Sequence, residues 1–339
     1  MEYFRPIAMT DPARPAGAFA LAGGWCWFDR VEVLSRAAPS RLIPASEVPA
    51  SVLHRLTAPR PAFAGLGMDR PRLMGILNVT PDSFSDGGKF LGADAAVAQA
   101  RAMAVGAEII DIGGESTRPG AVEVPVAEEI ARTAPVIRAL REGGLMAPIS
   151  IDTRKAPVAE AALRAGATIV NDVSAFDFDP ALGPLAAGTG ALVVLMHAQG
   201  VPKTMQDDPR YGDVLLDVYD ALAARLARAE ALGIARARIA LDPGIGFGKT
   251  QAHNLTLLRG LSLLHGLGCP ILLGTSRKRF IGAIGRADAP DARAPGSIAT
   301  ALSGVAQGAQ IIRIHDVAET RQALRLWKSL NTDHLEEEA

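Results

Sequence analysis

The sequence predicts an α/β protein, a closed (β/α)8 barrel behind an N-terminal extension. Three observations carry that expectation. Short apolar runs rich in Val, Ile and Leu alternate with amphipathic, Ala-rich stretches of helical period. There are eight such runs. Each run ends in, or leads directly to, a polar or charged residue.

The runs are Leu73–Leu77, Ile109–Ile112, Ile149–Ile151, Thr168–Val170, Leu192–Met196, Ile239–Leu241, Ile271–Gly274 and Ile311–Ile314. Continuous Val/Ile/Leu strands are buried on both faces, as in a parallel sheet. Between them, Ala93–Val105, Val126–Leu140, Pro157–Ala165, Asp213–Leu232, His253–Leu264 and Ser297–Gln307 read as helices. Repeated β/α units over about 250 residues match the size of a TIM barrel. An open doubly wound sheet would more often show about five to seven strands and a single Gly-rich nucleotide turn.

Residues 1–70 read differently. They are rich in Pro and Ala and hold Trp25 and Trp27. Ala18 to Leu34 has hairpin character, with Gly23-Gly24 as a turn and Val31 and Val33 alternating against Glu32. Ser46 is placed to cap a short helix through Val52 and Leu56. The segment is too apolar for a linker, and the expectation is an extension packed on the barrel. The catalytic barrel then spans 71–330, and 331–339 is a tail.

Composition removes several function classes. With 49% hydrophobic and 21% charged residues the chain can bury a core. A net charge of -1 argues against a nucleic-acid or membrane-surface binder. Cys26 and Cys269 lack metal-ligand spacing, so a disulfide framework is not expected and a reducing cytoplasm fits. Neither a signal peptide nor a membrane span is read in the sequence.

In such barrels the chemistry lies at the C-terminal strand ends. There the sequence delivers Asn78, Asp111, Asp152, Asn171-Asp172, His197, Asp242, Ser276-Arg277-Lys278 and Arg313-Ile314-His315. A lone Asp at such a place is usually a cap or turn residue. Eight strand ends of this kind make that reading poor. Asp152, Asn171 and Asp242 suit a flat, donor-rich edge such as an amino-pyrimidine. Lys278, Arg313 and His315, with Arg118 on the loop after the second strand, form a cationic group suited to phosphate.

Other motifs invite competing readings. Gly244-Ile245-Gly246-Phe247-Gly248-Lys249-Thr250 hints at a P-loop, but Pro243 stands where the first glycine is required. It reads as a flexible barrel loop. Gly113 to Gly120, with its Arg118, reads as a substrate-covering loop. His197, His253 and His265 do not resemble a zinc set.

With these motifs in place, the chain resembles the dihydropteroate synthase family of the folate pathway, from about Arg72 to Trp327. The matching stretches are Ile76 to Gly88, Asp111 to Gly120, Asp242 to Phe247, Ser276-Arg277-Lys278 and Arg313 to Asp316. The resemblance implies a transferase that joins 6-hydroxymethyl-7,8-dihydropterin pyrophosphate to p-aminobenzoate. Its products are 7,8-dihydropteroate and pyrophosphate, with Mg2+ assisting. Carried over by motif, Asp111, Asp152, Asn171, Asp242 and Lys278 line the pterin pocket, and Met196 packs on the ring. Asn78, Arg118, Arg313 and His315 would hold pyrophosphate, with Asn78 also meeting the metal. Phe84, Thr117, Pro119, Phe247 and Ser276 would surround p-aminobenzoate, where sulfonamides bind in the family. Asp152, Lys278, Arg313 and His315 would carry the catalysis.

The resemblance further implies a homodimer and loops 79–90 and 114–124 that close over the site. Two related barrels are the alternatives. A pterin-binding methyltransferase has no pyrophosphate to hold, and a silent pterin-binding homologue would have lost loop or phosphate residues.

Overall fold

The computed structural model describes residues 1–79, 89–116, 121–200 and 204–331. In chain order the extension contains strands β1 (Glu2–Pro6), β2 (Phe19–Ala20), β3 (Trp27–Phe28), β4 (Arg30–Ser35) and β5 (Arg41–Pro44), then helix α1 (Ala50–Thr57). The barrel strands follow as β6 (Arg72–Asn78), β7 (Ile109–Gly113), β8 (Ile149–Asp152), β9 (Ile169–Asp172), β10 (Leu192–Met196), β11 (Ile239–Asp242), β12 (Leu272–Gly274) and β13 (Ile311–Ile314). Between and after them come α2 (Lys89–Met103), α3 (Val126–Glu142), α4 (Ala156–Ala165), α5 (Leu182–Thr189), α6 (Val214–Ala231), α7 (Gln251–Arg259), α8 (Arg279–Gly285), α9 (Ala294–Val305) and α10 (Val317–Asn331).

The eight barrel strands are parallel neighbours in the order β11-β10-β9-β8-β7-β6-β13-β12. A parallel bridge from Leu241 to Ile271 joins the two ends, so the sheet closes into the expected TIM barrel. Strand alternation sorts the side chains. Ile110, Ile112, Ile149, Ile151, Val170, Val193, Leu195, Leu241, Ile312 and Ile314 face outward into the core shared with the helices. Met74, Ile109, Ile169, Val194, Ala240, Leu272 and Ile311 face inward and fill the lower barrel.

Two residues further along, four of these seven strands place a polar residue inward. Ile109 leads to Asp111, Ile169 to Asn171, Ala240 to Asp242 and Ile311 to Arg313. The period-two geometry of a strand therefore puts the site directly above the apolar plug, at the C-terminal mouth.

The lower end is stoppered by the segment just before β6. Phe63 and Leu66 bridge each other around Ala64 and Gly65, both in the left-handed region. Phe63 and Met68 are buried against the lower inward layer.

The rest of the extension packs on the flank of the barrel. β1, β4 and β5 form an antiparallel sheet, and β2 pairs with β3. The predicted alternation holds: Val31 and Val33 are buried, while Glu32 pairs with Arg5 at 2.6 Å. Gly23 has φ +68°, and an added Cβ would lie 2.6 Å from Pro59 Cα, so a side chain there is excluded. Bonds to the barrel are spread widely. Tyr3 Oη donates to Asp220 (2.8 Å), Trp25 Nε1 to the Val305 carbonyl (2.8 Å), Arg60 Nη2 to the His265 carbonyl (2.9 Å) and Ser262 Oγ to the Pro6 carbonyl (2.8 Å).

Two expectations are corrected. Ser46 is not a helix cap: it lies in a 3-10 turn, Ala45–Glu47, and α1 starts after Pro49 with no side-chain cap. The ring of Pro49 restricts the chain at the helix entrance and leaves no place for Ser46 at the cap. The stretch His253–Leu264 is not one helix. α7 ends at Arg259, and a 3-10 segment, Leu261–Leu267, follows. Gly260 marks the break, where Leu215 presses so closely that a Cβ would meet it at 2.5 Å. Among the described residues no helix is long and apolar enough to cross a membrane.

Candidate active site

Arg313 is the centre of the barrel mouth. Its Nε donates to Asp111 Oδ2 at 2.6 Å, and its Nη2 to Asp152 Oδ2 at 2.7 Å. Asn171 Nδ2 donates to the same Asp111 oxygen at 3.0 Å. The second oxygens, Asp111 Oδ1 and Asp152 Oδ1, are buried and have no hydrogen-bond partner among the described residues. A buried carboxylate oxygen without a donor costs free energy, so a ligand's N–H groups are its natural complement.

Burial pushes Asp152 up to about 7, with Asp111 adding to it and Arg313 only partly offsetting it. Burial also raises Asp242, against the opposing pull of Lys278. Lys278 is lowered to about 8 by burial, with Asp242 holding it from falling further. Burial alone would lower Arg313, but Asp111 and Asp152 outweigh it and hold the guanidinium above its ordinary value. Two carboxyls pushed up and an amine pushed down by burial in one mouth mark a functional site.

Lys278 is aimed by strained backbone. Arg277 before it takes φ +59°, uncommon for a side-chain-bearing residue. Arg277 is held there by Asp316 and by Ser297 Oγ, which accepts its N–H at 2.8 Å. Lys278 Nζ donates to the Ile245 carbonyl and lies 4.4 Å from the centre of the Phe247 ring. His315 and Ser276 are joined, with Nδ1 and Oγ 2.9 Å apart and the His315 N–H donating to Oγ at 3.1 Å.

Asp111, Asp152, Asn171, Asp242, Lys278, Arg313, Met196, Phe247, Ser276, His315 and Asn78 all lie at strand ends or on the loops directly after them. Arg313, expected at the phosphate end, bridges two carboxylates expected at the heterocycle end, Asp111 and Asp152, and so stands between the two groups. Phe84, Thr117, Arg118 and Pro119 lie outside the described residues. Gly274 takes the inward place on β12, where an added Cβ would be 3.8 Å from both Arg313 and Asp242 Oδ2. That strand leaves space in the mouth where others supply side chains.

Sequence reasoning missed two supports. The first is a buried charge network beside the rim. Glu115 accepts from Arg154 at 2.5 Å and Lys155 at 2.6 Å, and Lys155 also pairs with Glu129 at 2.9 Å. The second is the loop after β11. Its Gly244, Gly246 and Gly248 are all left-handed, and a Cβ on Gly244 would meet the His197 carbonyl at 1.8 Å. The alternating glycines are the visible signal, and in the sequence the segment reads as a flexible barrel loop, not as a P-loop.

A metal would find little protein coordination here. Among the described residues no three His, Cys, Asp or Glu side chains gather as ligands. Asn78, half-buried at the end of β6, offers an amide oxygen. That suits Mg2+, which keeps its waters and takes substrate phosphates with one or two protein oxygens.

Comparison with known proteins agrees with this architecture. The pterin-binding enzyme family profile matches residues 74–315. A dihydropteroate synthase of Neisseria meningitidis serogroup C is 48% identical over 270 residues, covering 78% of this chain and 94% of its own. The chain belongs to the dihydropteroate synthase family. Two solved members superimpose closely. One, from Yersinia pestis in complex with a sulfonamide drug, shows 46% identity and TM-score 0.74, over 78% of this chain and 96% of that one. Another, from Xanthomonas albilineans with 4-aminobenzoic acid, shows 46% identity and TM-score 0.75, over 80% and 98%.

Proposed function

We propose that this protein is a dihydropteroate synthase. It condenses 6-hydroxymethyl-7,8-dihydropterin pyrophosphate with p-aminobenzoate, giving 7,8-dihydropteroate and pyrophosphate. The observation that carries this reading is the pair of partnerless oxygens, Asp111 Oδ1 and Asp152 Oδ1, buried beside Asn171 and Asp242 in one mouth. A pterin presents N–H and NH2 donors along one edge, the complement of such a set. Lys278 donates to a ring acceptor from the opposite side, and Met196 packs on the ring face.

Pyrophosphate leaves readily once its charge is met by cations. His315, Arg313 and Arg118 supply them in this reading, and Asn78 contributes an oxygen toward Mg2+, which when bound neutralises the phosphates. As the methylene C–O bond breaks with its electron pair going to pyrophosphate, positive charge spreads over the pterin. The Asp152 carboxylate faces and stabilises that charge. The aniline nitrogen then forms the C–N bond and loses a proton. Phe247, Ser276, Phe84, Thr117 and Pro119 surround p-aminobenzoate, so the chain is expected to be inhibited by sulfonamides. No covalent enzyme intermediate is needed. The working form proposed is a cytoplasmic homodimer.

Purified protein with Mg2+ is expected to release pyrophosphate only when both substrates are present. Asp152→Ala and Lys278→Ala should each abolish release. Turnover that survives both changes would show that the mouth is misassigned.

A further inference from the structure

The loop after β11 is built as the reverse of a phosphate loop. A phosphate nest turns successive N–H groups toward an anion. Here the amides are used internally: Gly244 N–H donates to Asp242 Oδ1 at 2.7 Å, Gly246 N–H to Asn254 Oδ1 at 2.7 Å, and Phe247 N–H to the Gly244 carbonyl at 3.1 Å. The carbonyls are what the loop offers outward. Ile245 accepts from Lys278, Gly246 from Gln206 Nε2 at 2.6 Å, Phe247 from Lys249 Nζ at 3.0 Å, and Gly248 from Tyr211 Oη at 2.8 Å.

Lys249 lies behind this loop and is buried. Its Nζ is 2.9 Å from His197 Nδ1, 3.2 Å from the His197 carbonyl and 3.0 Å from the Phe247 carbonyl. Burial pulls this amine well below its ordinary value, and the surrounding atoms take every proton it carries, the two carbonyls alone sufficing for the neutral form. Lys249 therefore has no donor left for a ligand. What it does is tie the loop to the end of β10, where His197 N–H also donates to the Asp242 carbonyl at 2.9 Å. Burial, with Lys249 beside it, pulls His197 down to about 2, so the imidazole is neutral.

We infer that Lys249 is a positioning residue for the pterin end of the site, holding through His197 and the Phe247 carbonyl the loop that in turn holds Lys278. The chain of contacts is continuous. Lys249 fixes Phe247, the Phe247 ring covers Lys278 Nζ, and the neighbouring Ile245 carbonyl accepts from the same Nζ. The inference rests on the proposed role of Lys278 toward the pterin. It sets Lys249 apart from His315, which the proposed function places at the leaving group.

The test measures two binding reactions of the full chain. One probe is 6-hydroxymethylpterin, followed by its fluorescence, and the other is inorganic pyrophosphate. Lys249→Met is expected to weaken the pterin about tenfold, the scale of one lost hydrogen bond to a charged group. Pyrophosphate binding should stay within about twofold of the parent, since the change leaves the phosphate end intact. His197→Leu should repeat the loss, whereas His197→Asn, which restores an acceptor near Nδ1, should rescue it. The His197 pair decides the matter even if the Lys249 variant does not fold. Unchanged pterin affinity in folded Lys249→Met or His197→Leu protein overturns the inference, as does an equal loss for both probes, which would mean general loosening. A parent protein that binds no pterin and releases no pyrophosphate instead overturns the function on which it rests.

Discussion

Arg313 holds Asp152 across the barrel mouth, Nη2 to Oδ2 at 2.7 Å, while its Nε holds Asp111 at 2.6 Å. One guanidinium thus spans two strands and neutralises the carboxylates that the proposed pterin edge would meet. Asp111 adds to the burial that raises Asp152, and the arginine between them opposes both effects.

Removing the guanidinium should be visible in the pH profile. Arg313 lowers Asp152 against the dominant effect of burial. In Arg313→Gln the acid limb of the residual kcat/KM should therefore move to higher pH, along with a large loss of rate. An acid limb that stays in place would mean that Asp152 does not govern it.

The parent enzyme should itself show a narrow bell. kcat/KM reports groups of the free enzyme. Asp152, raised by burial to about 7, must be ionised to face a cation, so activity should rise as pH passes about 7. Lys278, lowered by burial to about 8, must be protonated to donate, so activity should fall beyond about 8. A flat profile between pH 6 and 9 (about one unit beyond each limb) would remove both assignments.

Gly244 should not tolerate a side chain. Its φ is +66° and a Cβ would come 1.8 Å from the His197 carbonyl. Gly244→Ala is expected to cost about 3 kcal/mol from the left-handed backbone and the clash together. Denaturant unfolding measures it, and a loss below about 1 kcal/mol would show that the loop shifts freely.

The network beside the rim makes a separate prediction about stability. Lys155 pairs with Glu115 and Glu129, all three side chains being nearly inaccessible. Lys155→Met leaves two buried carboxylates without that cation and should destabilise the fold by about 3–5 kcal/mol. Replacing Lys155 and Glu129 together by apolar residues, with Glu115 kept on Arg154, should recover part of the loss. Recovery of none would point to packing rather than charge as its source.

Deletion of residues 1–60 should separate stability from turnover. The extension bonds to the flank through Tyr3, Trp25 and Arg60, away from the strand ends that form the mouth. The shortened chain keeps Phe63 and Met68 as the barrel stopper. It is expected to melt at a lower temperature with kcat close to that of the full chain. Lost turnover at an unchanged melting temperature would give the extension a direct part in the reaction.

Some of this was legible in the chain because it is local and periodic. The alternation that makes Ile109 and Ile169 inward makes Asp111 and Asn171 inward as well, so the strands and their polar ends could be read together. The break at Gly260 could not, since it depends on Leu215 of α6 pressing on that glycine. Nor could the pairing of Arg313, whose partners are 202 and 161 residues away. Lys249 stood in view inside a Gly-rich loop, yet its meaning depends on which way carbonyls and amides turn.

By itself the sequence determined the closed barrel, the level at which polar groups emerge and the family, because strand period and motif order are properties of the chain. Tertiary structure alone decided which charges neutralise one another, how the extension lies on the flank and what the β11 loop accepts. Those outcomes depend on distances between residues far apart in sequence, and burial sets the strength of each interaction and the direction of each pKa shift.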